Sequence, residues 1–193
     1  MDTLLIDVDG VILDWNLGFE LWMKERGYKK KVESTYDLSD AYEMDKTEIH
    51  TLGYEYCHSE DFARIPAFRD APFYLDRIAV KFELYIHAIS AVYDDKKSYA
   101  ARWSNIKHFY PTDFWTLTHT ITSENKLQHL LKYKDSGCFW IEDHMPNALM
   151  GLECGLRPIL MDHPYNRDEN HPDIPRVSSW KEIYTIIKSD CTG

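Results

Sequence analysis

Met1-Asp2-Thr3-Leu4-Leu5-Ile6-Asp7-Val8-Asp9-Gly10-Val11-Ile12-Leu13-Asp14 is a short apolar run that delivers two carboxylates and a glycine at its far end. Leu and Ile over four to five residues read as a buried strand. Its carboxyl edge, where open α/β sheets bind ligands, then carries Asp7 and Asp9. Alternate side chains of a strand share a face, so the two acids can converge on one cation while Val8 turns into the core. Gly10 lets the chain leave without a Cβ in the way. The same residues in a bland role would be a polar strand end, with Asp9 capping the next helix.

Working outward, the 193 residues, 44% of them hydrophobic, can bury one good core with a small inserted module. A formal charge of −10 argues against a general nucleic-acid or anionic-membrane binder. A small phosphate is still accessible if a divalent ion and one or two lysines reverse the field locally. Cys57, Cys138, Cys154 and Cys191 are scattered without a CxxC pair, and no leader or long apolar run is evident. The expectation is a soluble, reduced, cytoplasmic protein. Nine histidines form no HExxH or paired Cys/His spacing, which disfavours structural zinc.

The fold class expected is α/β, with a Rossmann-like core and mostly parallel sheet. Trp15 to Lys31 predicts an amphipathic helix stopped at Gly27, and the polar, tyrosine-rich stretch to Pro72 predicts a helical insertion. Residues 15–72 are therefore assigned to a cap, and residues 1–14 with 73–193 to the core. Later elements predicted are a helix over Leu75–Val80, a strand over Phe82–Ile89 ending at Ser90, and a helix over Trp103–Tyr110. They continue with a short strand over Phe114–Leu117, a helix over Lys126–Tyr133, a strand over Cys138–Ile141, a helix over Ala148–Leu152 and a last strand over Pro158–Met161. The Cys138–Ile141 run repeats the opening pattern, since it too ends in acids, Glu142 and Asp143.

Asp7-Val8-Asp9-Gly10-Val11 is similar to the DxDG(T/V) signature of the haloacid dehalogenase superfamily of phosphatases, and the resemblance runs over nearly the whole chain. It implies that Asp7 is the nucleophile that takes up a phosphoryl group, and that Asp9 is the acid and then the base. Glu142-Asp143 resembles the fourth motif, which supplies the remaining metal carboxylate, with Asp143 the direct ligand. Lys126 matches the lysine placed upstream of it, with Lys107 as the substitute. The implied cofactor is Mg²⁺, held by Asp7, the Asp9 main-chain carbonyl and Asp143, with Glu142 in the same acidic pair. A hard cation would also offset the repulsion between an attacking carboxylate and a phosphate. For the second motif Ser90 offers the phosphate-binding hydroxyl, whereas gapless alignment on the nucleotidase strand falls nearer Ala88.

Within that superfamily, Asp7-Val8-Asp9-Gly10-Val11-Ile12-Leu13-Asp14-Trp15 is similar to the DMDGVLADF of the 5′(3′)-deoxyribonucleotidase group, as are the segments at 71–76 and 159–167. The resemblance implies a small-molecule nucleoside monophosphate substrate, phosphate contact at Gly10 and Ser90, and a base stacked on Trp15 near Phe19. Packing of Trp15 and Phe19 onto the sheet is the alternative. No membrane and no stable nucleic-acid partner is expected, and a homodimer is left open. Competing functions are a phosphatase for another small phosphorylated metabolite or a polynucleotide 3′ phosphate, and a catalytically weak nucleotide-binding module.

Overall fold

The computed structural model describes residues 2–110, 115–120 and 126–192. Six strands, β1 (Thr3–Ile6), β2 (Tyr85–Ala91), β3 (Trp115–Thr120), β4 (Phe139–Glu142), β5 (Arg157–Met161) and β6 (Arg176–Val177), form one sheet. Its order is β3-β2-β1-β4-β5-β6, and each neighbouring pair is parallel. The central strands are apolar throughout because helices cover both faces. Leu4, Ile6, Ile86 and Ala88 join the main core, while Leu5, Ile89 and Trp140 pack with Leu130, Cys154 and Leu156 in a second cluster.

Between β1 and β2 the chain forms α1 (Trp15–Glu25), α2 (Leu38–Tyr42), α3 (Lys46–Cys57), a 3-10 turn at Asp61–Arg64, and α4 (Ala71–Phe82). Carboxylates start the first three helices: Asp14 accepts from Leu17 N at 3.1 Å, Asp37 from Ser39 N at 2.8 Å and Asp45 from Thr47 N at 2.8 Å. The inserted helices meet through aromatic rings, with Phe19, Trp22, Tyr42, Tyr56 and Phe62 all buried. Two strands of chain link this unit to the core. Asp14 N donates to Pro66 O and Phe68 N to Ile12 O, each at 2.8 Å.

The remaining helices are α5 (Lys96–Phe109), α6 (Lys126–Leu130), α7 (Met145–Glu153) and α8 (Trp180–Thr192). Several boundaries differ from the expectation for local reasons. Pro72 fits the first turn of α4, where its missing N–H costs nothing, so that helix starts before Leu75. Phe82 ends α4 rather than opening a strand, since Glu83 turns left-handed at φ 53° and β2 begins at Tyr85. Asp95 caps α5 through Ser98 N at 2.8 Å and starts it seven residues before Trp103. Of the strand expected at 114–117, Phe114 lies outside the described residues and the rest belongs to β3. The short β6 and the closing α8 follow the last strand expected.

α8 is tied back to the first loop. Trp180, fully buried, donates from Nε1 to Val11 O at 2.7 Å, and Asp70 accepts from Trp180 N at 2.9 Å and Lys181 N at 3.1 Å. Among the described residues no helix is long and apolar enough to cross a membrane.

Candidate active site

Asp7 leaves the end of β1, where its N–H still bonds Ile141 O of β4 at 2.8 Å, so the tips of both central strands stay level. That pairing brings the acids at 7, 142 and 143 together. Lys126, at the start of α6, reaches between them: its ammonium lies 2.9 Å from Asp7 Oδ1 and 2.8 Å from Glu142 Oε1. Burial alone would lower the lysine and raise Glu142, but the charges of Asp7 and then Glu142 raise Lys126, and Lys126 with the hydrogen bonds from His144 and Asp143 lowers Glu142. Glu142 is saturated. Besides Lys126 it accepts from Asn147 Nδ2 at 2.7 Å, Asp143 N at 2.7 Å and His144 N at 2.9 Å.

Gly10 allows the second half of the site to close in. Its φ is +73°, and a Cβ there would stand 2.8 Å from Asp143 Cγ and 3.2 Å from His163 Nε2. His163 Nε2 instead donates to Gly10 O at 2.7 Å. Asn166 Nδ2 donates to Asp143 O at 2.7 Å, and the Tyr165 hydroxyl donates to Asp143 Oδ2. A loop after β5 thus fixes the Asp143 carboxylate against the turn after β1.

The donor set suits a hard divalent cation. Asp7, Glu142 and Asp143 each present a carboxylate oxygen, all within 4.8 Å of one another. Burial, with Glu142 and Asp9 as further causes, raises Asp7 to about 7 against the pull of Lys126. Burial, then Glu142 and Asp7, holds Asp143 well above the usual carboxylate range. Three buried acids facing one ammonium form an excess of negative charge that a bound cation relieves. With Glu142 occupied, the oxygens of Asp7 and Asp143 are the ones best placed to hold it.

Beyond Asp9 the surroundings change. Arg102 of α5 donates from Nη2 to Asp9 Oδ2 at 2.6 Å and lies 4.7 Å over the Phe62 ring. Burial raises Asp9 while Arg102 opposes the rise. Tyr56 lies close enough for Asp9 and Arg102 to act on its hydroxyl, which burial pushes upward. Trp15 stacks on Phe19 at 4.8 Å and meets Tyr56 edge-on at 5.7 Å. Phe19, expected beside a substrate, is only 1% exposed and is a packing residue: it stacks again on Trp22 and meets Tyr42 and Tyr56 edge-on. Trp15 is half-buried at the edge of that cluster.

Ser90 is fully buried, and its hydroxyl has no hydrogen-bond partner among the described residues. Ala88 pairs in register with Ile6, which puts Ser90 two residues farther along, one residue beyond the level of Asp7. By alternation Ser90 shares the sheet face of Ala88, not that of Ile89. The structure therefore joins Asp7, Gly10, Lys126, Glu142 and Asp143 directly, and links Asp9 to Arg102 instead. The sequence reading did not single out Arg102, Asn147, His163, Tyr165 or Asn166 for these contacts. Arg102 in a polar helix and Asn147 in the first turn of α7 carry no local signal for them, and the segment at 159–167 carries a family likeness without indicating which atoms it holds.

The assembled architecture can be set beside solved structures. A haloacid dehalogenase-like hydrolase from Streptococcus pneumoniae superposes with a TM-score of 0.68 at 13% identity, covering 97% of this chain and 98% of that one. The chain has the haloacid dehalogenase fold. The D,D-heptose 1,7-bisphosphate phosphatase of B. bronchiseptica, whose structure holds magnesium and phosphate, gives a TM-score of 0.62 at 8% identity, with 98% and 99% covered. An L-2-haloacid dehalogenase gives 0.56 at 12% identity, with 97% and 99% covered, so the fold spans more than one chemistry. No family model and no curated protein matches the chain.

Proposed function

We propose that this protein is a Mg²⁺-dependent phosphomonoesterase that works through an aspartyl phosphate on Asp7. The observation that carries the reading is the buried Asp7–Lys126–Glu142–Asp143 cluster, with a lysine ammonium 2.9 Å from the carboxylate that would attack. A cation bound by Asp7, Asp143 and the Asp9 main-chain carbonyl would offset the charge of the transferring phosphoryl group. In the first step an Asp7 oxygen bonds to phosphorus, the bond from phosphorus to the leaving oxygen breaks, and Asp9 gives that oxygen a proton. In the second, water attacks phosphorus, Asp9 takes the water's proton, and inorganic phosphate leaves with the Asp7 carboxylate restored. Lys126 holds the nucleophile and neutralises the phosphoryl oxygens, and Glu142 holds Lys126. Gly10 and Ser90 are the residues this reading assigns to the phosphate oxygens.

For the leaving half we propose a nucleoside, read from the likeness of the first motif and of residues 71–76 and 159–167 to deoxyribonucleotidases, with Trp15 at the rim as the stacking face. A cytoplasmic, soluble role without membrane or stable nucleic-acid partner accompanies this reading. Another small phosphorylated metabolite fits the same core chemistry. The test is Asp7→Asn: hydrolysis of p-nitrophenyl phosphate with Mg²⁺ should fall by at least about 10⁴-fold with the circular dichroism spectrum kept. Activity surviving in that variant rejects the mechanism. A panel of deoxynucleoside monophosphates beside sugar phosphates decides the substrate class.

A further inference from the structure

Arg102 is a charged group that the two chemical steps leave unused. Its side chain is 1% exposed, yet Nε and Nη1 have no hydrogen-bond partner among the described residues, and only Nη2 is engaged, by Asp9. A guanidinium cannot discharge by losing its proton, so each unmet N–H remains a cost until an acceptor arrives. The other oxygen of the carboxylate that it holds, Asp9 Oδ1, is buried and equally unmet. The place is not sealed, since the Asp9 side chain is 29% exposed.

Position says what the acceptor is. Asp9 faces the leaving oxygen in the proposed reaction, so a cation bonded to Asp9 adjoins the leaving half of the substrate. Lys126 is already committed to Asp7 and Glu142. The planar fork of an arginine matches two oxygens of one carboxylate or phosphate, and in a chain of net charge −10 a buried cation is a selective feature for an anion. We propose that Arg102 is a specificity-determining residue that selects phosphomonoesters whose leaving half carries a second anionic group, a carboxylate or a further phosphate. The proposal rests on the phosphomonoesterase reading and deepens it. Applied to nucleotides, it favours a bisphosphorylated nucleoside over a monophosphate.

The test measures binding in the Asp7→Asn variant with Mg²⁺, so that no turnover is needed. Calorimetry compares glycerol 2-phosphate with 2-phosphoglycerate, and thymidine 5′-monophosphate with thymidine 3′,5′-bisphosphate. The expected result is that the second anion tightens binding by about tenfold or more in at least one pair, and that Arg102→Met on the same background brings the ratio to about one. Equal binding within both pairs, or a gain that survives Arg102→Met, overturns it. Should Arg102→Met not fold, Arg102→Lys keeps the charge without the fork and should lose most of the gain, and a gain fully kept by lysine rejects the fork. Wild-type hydrolysis is read separately: no turnover of any compound sinks the phosphatase reading, while the binding ratios still decide the role of Arg102.

Discussion

The two sides of the Asp7–Asp9 turn contrast in how their polar atoms are satisfied. On the Asp7 side Glu142 accepts four hydrogen bonds, Lys126 bridges two carboxylates, and Asp143 is held by Tyr165 at its side chain and Asn166 at its main chain. On the Asp9 side Asp9 Oδ1 and Arg102 Nε and Nη1 are buried without partners, and the Ser90 and Tyr56 hydroxyls are likewise unmet. On the first side Asn147 Oδ1 and His144 Nδ1 are also unmet, but the ammonium and the carboxylates are all engaged there, whereas on the second side the carboxylate and the guanidinium themselves keep unmet atoms. Chemistry common to many substrates belongs on a side that is rigid before binding. Selection belongs where capacity is open.

The largest effect should come from removing the centre of the saturated side. Lys126→Met leaves Asp7 and Glu142 buried without a counter-charge, and should cost about 3–5 kcal/mol in urea unfolding and about 10³-fold in turnover. Loss of activity without loss of stability would break the contrast. The next test asks how far the saturated region extends beneath the site. His87 on β2 uses both ring nitrogens, on Tyr133 Oη and Thr118 Oγ1 at 2.7 Å each, and burial first, then His129 and Lys132, lowers its pKa to about 4. The unfolded chain binds the proton more readily between pH 4 and 6.5, so stability should fall as pH drops through that window, by about 3 kcal/mol at most. Chemical denaturation of wild type and His87→Gln side by side should show this slope shrinking in the variant.

Gly10→Ala sharpens the boundary between the sides. Its Cβ would displace the Asp143 carboxylate and force a left-handed alanine, so Mg²⁺ protection against thermal unfolding should require about 10- to 100-fold more metal. Metal dependence unchanged from wild type would place the cation elsewhere. The smallest effects form a matched pair read by urea unfolding without ligand. Asn147→Ala, on the saturated side, should cost about 1–3 kcal/mol, while Ser90→Ala should be neutral or stabilising by up to about 1 kcal/mol. Equal losses from both would mean that the two sides do not differ.

The sequence made the saturated side legible because it is built from strand ends. Leu4-Leu5-Ile6 and Phe139-Trp140-Ile141 are apolar runs whose following acids must emerge at the sheet's edge, and parallel pairing brings them level. The open side was not legible, for a physical reason. Arg102 lies in a helix of mixed character, Lys96–Phe109, where nothing in the local pattern separates a buried arginine from a solvated one. Only packing of α5 against the 3-10 turn at Asp61–Arg64 brings it under the inserted unit. Phe19 misled in the opposite direction, because an aromatic near the first motif serves equally well as a core residue. The roles of His163 and Tyr165 depend on a loop conformation that no periodicity encodes.

The bond from Trp180 to the Val11 carbonyl couples the first turn to α8. The turn that follows the first strand is steadied by a residue near the other end of the chain, and Asp70 caps the helix that carries it. Loosening α8 should therefore loosen the turn that carries Asp9 and Gly10, so that the two segments lose protection against amide hydrogen exchange together.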